Sequence, residues 1–299
     1  LCVQYRTAIN QITASPPLQA SSASISTAST ASIFFHNLHR RTPISLIEIG
    51  GGIASGLTAV LRQGFAIQSY IYFDICSDAM TVAKQTIDQI RTEHEALIFP
   101  DTFEHTFALE QDFMNFQLSS LINRLENCAD RHWFIISGLP CQSFSRAGNR
   151  QGLRDKRADI YPQIVTAVSE LQTMTANHNG SVSYLFENTY MKGVSASIDE
   201  DYQTICNMMG NPVSLDAARA GSYAQRLRLY WTNIAHSEQL QFVLNLIERP
   251  KNRLVNDILD PNRKARPIET LPIAPFYTAV GAIGGPLEVI PTICATSRT

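Results

Sequence analysis

From Ser45 to about Asn233 the chain alternates short apolar runs with longer amphipathic stretches. Few folds satisfy that pattern. A short run that is apolar throughout needs cover on both faces, and amphipathic stretches between such runs supply it as helices, giving βαβ units around a parallel sheet. Strands are expected near 45–49, 69–74, 105–110, 132–137, 182–187, 212–216 and 227–234. The resulting expectation is an α/β, Rossmann-like fold with a mostly parallel, seven-stranded sheet. At 299 residues with 44% hydrophobic side chains, the chain can bury a substantial core.

The turn after the first strand reads Glu48-Ile49-Gly50-Gly51-Gly52-Ile53-Ala54-Ser55-Gly56. Glycines let the backbone turn tightly and approach a ligand, and the helix that follows offers its first N–H groups. Three residues separate Gly52 from Gly56, so the spacing is not the dinucleotide-binding G-x-G-x-x-G. The acid-x-Gly-x-Gly form, Glu48 to Gly52, resembles instead the first motif of S-adenosylmethionine-dependent methyltransferases. Asp74 ends strand two, 22 residues beyond Gly52, where a carboxylate can accept both ribose hydroxyls. Asp112, followed by Phe113, ends strand three and is expected at the adenine.

Strand four runs into Ile135-Ile136-Ser137-Gly138-Leu139-Pro140-Cys141-Gln142-Ser143-Phe144-Ser145-Arg146-Ala147-Gly148. Gly138 and Pro140 stop the strand and present Cys141 on a loop, where a thiolate can add to an electron-poor carbon. Strand five ends Phe186-Glu187-Asn188-Thr189, and strand seven begins Gln225-Arg226-Leu227-Arg228, whose alternation places both arginines on one face opposite Leu227 and Leu229. Between them, Gly152-Leu153-Arg154-Asp155-Lys156-Arg157 is expected to open a helix with Ile164, Val165, Val168 and Leu171 on its inner face. The cysteine loop, the Gly-x-x-Asp-x-Arg segment, Glu-Asn and Arg-x-Arg occur in the order, and with much of the local sequence, of the cytosine-5 DNA methyltransferases. The Arg-x-Arg running into Tyr230-Trp231 is closest to the eukaryotic de novo branch, although Ala224 stands where the family usually has glutamine.

That resemblance implies S-adenosylmethionine as cofactor, double-stranded DNA as partner, and a class I methyltransferase fold with a small irregular target-recognition region. It implies catalytic roles for Cys141, Glu187, Arg226 and Arg228. Cofactor contacts would come from Glu48, Gly50, Gly52, Asp74, Ile75, Asp112, Phe113 and Pro140, and substrate contacts from Gln142, Ser145 and Asn188. Gly50 departs from the family's adenine-stacking phenylalanine and leaves Ile75 to pack alone. Two other readings share these motifs. The tRNA-methylating branch carries a Cys-Phe-Thr insertion that is not found here, and inactive accessory homologues usually lack the cysteine or the glutamate, both of which this chain has.

Outside the core, residues 1–41 contain no acidic residue, and 20–32 are low-complexity Ser/Ala/Thr, read as a disordered linker. The catalytic domain is expected over 42–235, and 236–299 as the target-recognition region with the start of the family's penultimate motif. The final Gly-x-Ser-Trp motif is not found, and with Leu1 in first place the chain reads as cut from a longer protein. Net charge is -2 and the pI about 6.4, so no overall basic field advertises a nucleic acid, though a local basic groove is compatible with that sum. The six cysteines show no C-x-x-C and no zinc spacing, so no metal is expected. No run of about 18 apolar residues occurs, which argues against a spanning helix and a membrane partner. A nuclear location is expected if the source is eukaryotic; the acid-poor N-terminus also resembles an organelle transit peptide. Assembly with itself or another chain is expected through regions outside this segment.

Overall fold

Strand β1 (Ile44–Ile49) is buried at every position, as a strand covered on both faces must be. It pairs in parallel with β2 (Ile67–Phe73) on one side and β4 (His132–Gly138) on the other. The structure, a computed structural model, describes residues 43–93, 104–108, 113–115, 118, 122, 125–146, 148–222, 224–247 and 290–291. These form two compact units, the larger holding described residues 43–213 and 229–240, the smaller 214–228, 241–247 and 290–291.

In the larger unit β3 (Glu104–Ala108) pairs in parallel with β2, and β5 (Ser181–Thr189) in parallel with β4. The strands run in the order β3-β2-β1-β4-β5-β8, the last being Leu227–Thr232, whose residues from Leu229 belong here. Chain order therefore reverses between β1 and β4. In an open α/β sheet the loops at the carboxyl ends of two such strands leave in opposite directions and open a crevice, the usual ligand site.

Helices cover both faces. Alternate residues of β1 and β2, such as Leu46 and Tyr70, pack with Leu57 and Val60 of α1 (Ser55–Arg62) and with Met80 and Ile87 of α2 (Ser77–Glu93). On the other face Ile47, Ile49, Trp133 and Phe186 pack with Tyr161, Ile164 and Leu171 of α3 (Ile160–Thr175) and with Ile198 and Ile205 of α4 (Ala196–Met209). Each of these large side chains contributes about 1.5–3 kcal/mol by leaving water. Among the described residues, no helix is long and apolar enough to cross a membrane.

The seven expected strands all form, within two residues of the expected bounds. One helix start differs. The segment expected to begin a helix at Gly152 makes two single 3₁₀ turns, Gly152–Arg154 and Lys156–Asp159, before α3 begins at Ile160. Gly152 is left-handed at φ 59°, which breaks helical continuation, and Pro162 belongs in a first turn, where its missing N–H costs nothing. In the smaller unit, β6 (Val213–Asp216) contributes its residues from Ser214, β7 (Ala224–Gln225) pairs in parallel with β9 (Ile290–Pro291), and α5 (Ser237–Asn245) its residues from Gln241. Residues 1–41 and most of 248–299, the expected linker and target-recognition region, lie outside the described residues.

Candidate active site

The glycine turn leaves β1 with Gly50 at φ 62° and Gly52 at φ 56°, a region that side chains disfavour. Gly51 N donates to Phe73 O at 3.1 Å, tying the turn to the end of β2. A Cβ on Gly51 would lie 2.4 Å from the Tyr72 ring, whereas one on Gly52 would meet nothing within 4 Å. Gly52 thus opens onto free space, and a ligand can approach the backbone there.

Glu48, expected at the cofactor, is spent mainly on the turn itself. It is 3% exposed and accepts from Gly56 N at 2.7 Å, Leu57 N at 3.2 Å and the Tyr70 hydroxyl at 2.6 Å. A carboxylate at a helix N-terminus is favourable, and here it fixes where α1 begins. Burial pushes its pKa up, while the bonds from Tyr70, Gly56 and Leu57 pull it down. The Tyr72 hydroxyl donates to Gly52 O from the same strand face. Neither tyrosine was anticipated; two tyrosines at i and i+2 in an otherwise apolar strand are the signal that marks them.

Asp74 accepts from Gly52 N through Oδ2 and from Cys76 N through Oδ1, each at 2.8 Å. A carboxylate has about four acceptor positions, so this bracing leaves roughly two for ribose hydroxyls. Ile75, next to it, is 75% exposed and free to pack on a ring. Phe113, expected at the cofactor, is buried against Phe73, ring centroids 5.3 Å apart and edge-on, and belongs to the core. Asp112 lies outside the described residues.

Across the crevice, β4 and β5 run in register so that Gly138 sits opposite Glu187, and Leu139 N donates to Glu187 O at 2.9 Å. Cys141, three residues beyond Gly138, is exposed, while Glu187 is half-buried. The Cys141 carbonyl accepts from Phe144 N at 3.1 Å and Ser145 N at 2.9 Å. Phe144 is fully buried, edge-on to Tyr161 at 5.7 Å, and anchors this turn. Pro140, expected at the cofactor, offers its carbonyl to Asn188 Nδ2 at 3.4 Å. Asn188, expected at the substrate, is 0% exposed, donates also to the Tyr161 hydroxyl, and accepts from Thr189 N at 2.6 Å, and so ties the cysteine loop to β5. Burial pushes the Tyr161 pKa up, and the charges of Cys141 and Glu187 both reach it, which marks one shared locus.

The far side of the loop is clamped. Gln142 O accepts from Asn149 N at 3.0 Å, and a Cβ on Gly148 would sit 1.7 Å from that same oxygen. Asp155 accepts from Arg157 Nε at 2.9 Å, from Arg157 Nη2 at 2.6 Å and from Asn149 Nδ2 at 2.7 Å. Those bonds hold its carboxyl well below the usual carboxylate range, Arg157 first and Asn149 next. Gln142 is exposed and Ser145 half-buried, on either side of the turn that carries Cys141.

A cavity of about 460 Å³ joins the two halves, lined by Glu48, Gly50 to Gly52, Gly56, Gly138, Leu185 and Glu187 among others. A groove of about 540 Å³ on the outer face of α3, from Val165 to Met174, holds no titratable group but Glu170 and plays no part here. The two arginines belong to the smaller unit. Arg226 precedes β8, with its N–H on Asp216 Oδ1 at 2.8 Å, and Arg228 donates to Leu227 O at 2.8 Å. Leu227 is 40% exposed, while Leu229 and Trp231 are buried.

The residues of the larger unit fit S-adenosylmethionine. The glycine turn leaves a cradle that a side chain on Gly52 would fill, Asp74 keeps acceptors, and the crevice reaches Glu187. Solved structures similar to this chain include a mutant of Spodoptera frugiperda DNMT2, 19% identical over 63% of this chain and 49% of that one, TM-score 0.39. Another is the Entamoeba histolytica methyltransferase EhMeth, 15% identical over 75% and 62%, TM-score 0.47. A third is the N-terminal domain of human METTL16 in complex with SAH, 12% identical over 72% of each chain, TM-score 0.36. The chain spans about half the length of the first of these. The sequence model of the C-5 cytosine-specific DNA methylases matches residues 100–265, more than half the chain. With that match, a cysteine loop and a glutamate set side by side by strand register, and a glycine-turn crevice between them, this chain belongs to the C-5 cytosine-specific DNA methylase family, whose cofactor is S-adenosylmethionine.

Proposed function

We propose that the protein methylates carbon 5 of cytosine in DNA through a covalent adduct with Cys141. The observation that carries this reading is the register of β4 and β5, which sets Glu187 opposite Gly138 and so beside the loop that presents an exposed Cys141. Carbon 5 of cytosine is a poor nucleophile until something adds to carbon 6. The Cys141 thiolate forms that bond, and the ring electrons move toward carbon 5 and ring nitrogen 3. Glu187 holds nitrogen 3 and the exocyclic amine, where charge develops. S-adenosylmethionine, when bound, would supply an electrophilic methyl on its sulfonium: the electron pair at carbon 5 would form the new bond as the methyl–sulfur bond breaks and S-adenosylhomocysteine leaves as a thioether. A base then removes the carbon-5 proton, the 5,6 double bond re-forms, and Cys141 leaves as thiolate. A stacked cytosine is out of reach of such a loop, so the base is flipped from the duplex.

The test is transfer of labelled methyl from S-adenosylmethionine to a cytosine-containing duplex. Glu187→Gln keeps the shape and loses the charge, and should slow transfer about 10²–10⁴-fold, the usual value of such a group. A Glu187→Gln protein as fast as the wild type, or methyl appearing on tRNA and not on DNA, contradicts the reading.

A further inference from the structure

Gly52 is gripped at both its amide and its carbonyl from the end of a single strand. Its N–H donates to Asp74 Oδ2 at 2.8 Å, and its carbonyl accepts from the Tyr72 hydroxyl. Packing does not set the orientation of this residue. A Cβ at Gly52 would meet nothing within 4 Å, and its φ of 56° is one that glycine adopts freely. The two hydrogen bonds therefore decide which way its peptide groups face.

Tyr72 is fully buried between the apolar Ile71 and Phe73, and its ring stands where a Cβ on Gly51 would come within 2.4 Å. A phenylalanine would fill the same space. What the hydroxyl adds is the bond to Gly52 O, at the lip of the cavity that Gly52 lines. Burial, and after it the charge of Asp74, pushes the Tyr72 pKa up, so the hydroxyl keeps its proton and donates at any ordinary pH. Asp74 depends on that bond at one remove. Cys76 N holds its Oδ1 and Gly52 N its Oδ2, each at 2.8 Å, so two bonds on different oxygens fix the plane of the carboxylate. Without the second, the group can turn about the first.

We infer that Tyr72 is a positioning residue for S-adenosylmethionine: its hydroxyl fixes the Gly52 peptide and, through the Gly52 N–H, the plane in which Asp74 offers its remaining acceptors to the ribose. Being fully buried, Tyr72 acts only through Gly52 and Asp74. The inference rests on the cofactor lying against the glycine turn.

The experiment is isothermal titration calorimetry of the full chain with S-adenosylhomocysteine and with its 2′-deoxyribose analogue, which lacks one of the hydroxyls that Asp74 would accept. A hydrogen bond to a charged group predicts that the wild type binds the ribose form about 10–100-fold more tightly. Tyr72→Phe keeps the ring beside Gly51 and should stay folded in a thermal melt, since Gly52 is half-buried and water can replace the hydroxyl. Its preference for the ribose form should fall at least about 3-fold below that of the wild type, a change of ratio that lost stability alone does not produce. Asp74→Asn keeps the shape, loses the charge and should lower the preference as well. Wild-type preference in Tyr72→Phe, with the preference lost in Asp74→Asn, overturns the positioning role alone. A Tyr72→Phe protein that does not fold also overturns it, because the hydroxyl is then structural. Wild-type preference in both variants, or no preference in the wild type, moves the cofactor away from this turn and overturns the inference together with the placement beneath it. None of these readouts uses cytosine or DNA, so the proposed methyl transfer stands or falls separately.

Discussion

Asp155 and Asn188 share the task of holding the loop that carries Cys141, from opposite ends. Asn188 ties Pro140 to β5 and Tyr161, and Asp155 ties Asn149 to Arg157 and so closes the loop behind Gln142. The two should respond differently to pH, because only one titrates. The Asp155 carboxyl is held below its ordinary range by Arg157 and then Asn149, so the folded state favours its ionised form. Its contribution is therefore fully present above the unfolded value of about 3.9 and is lost as pH falls through that value toward the folded one. Asp155→Asn should lower stability by a constant amount between about pH 5 and 8, with the gap to wild type closing below about pH 4. Urea denaturation across that range reads it. A gap that widens in acid would mean that Asp155 is not the ionised partner of Arg157.

At the scale of the element, the glycine turn depends on β2 more than on its own glycines. Tyr70 and Tyr72 project from one strand face, one to Glu48 and one to Gly52, and the Tyr72 ring fills the space a side chain at Gly51 would need. Gly51→Ala should therefore cost about 1–3 kcal/mol of stability through overpacking and weaken S-adenosylmethionine binding. Calorimetric titration with the cofactor beside a thermal melt measures both, and an unchanged variant would place the cofactor away from this turn. The strands that build the turn were legible because a run buried on both faces is mostly apolar, as Ile44–Ile49 is but for Ser45 and Glu48. Local side-chain direction was less legible. Sequence does not say which way Phe113 and Asn188 turn; Phe73 and Tyr161 decide it by offering a ring and a hydroxyl. The bonds of Glu48 to Gly56 N and Leu57 N were not legible, since they come from a helix start whose position the sequence only approximates.

For the whole molecule, strand order and register direct an exposed thiol, Cys141, to the carboxyl end of the sheet beside the crevice between β1 and β4. The same order carries the cofactor turn on one lip and Glu187 on the other, so the fold and the proposed chemistry stand together on Cys141. A duplex bearing 5-fluorocytosine tests that claim most directly, because fluorine at carbon 5 replaces the proton whose removal releases the enzyme. With S-adenosylmethionine present, wild-type protein should form a denaturant-resistant adduct with the duplex, and Cys141→Ala none. Equal adduct from both proteins, or none from the wild type under conditions where it transfers methyl, would contradict the account.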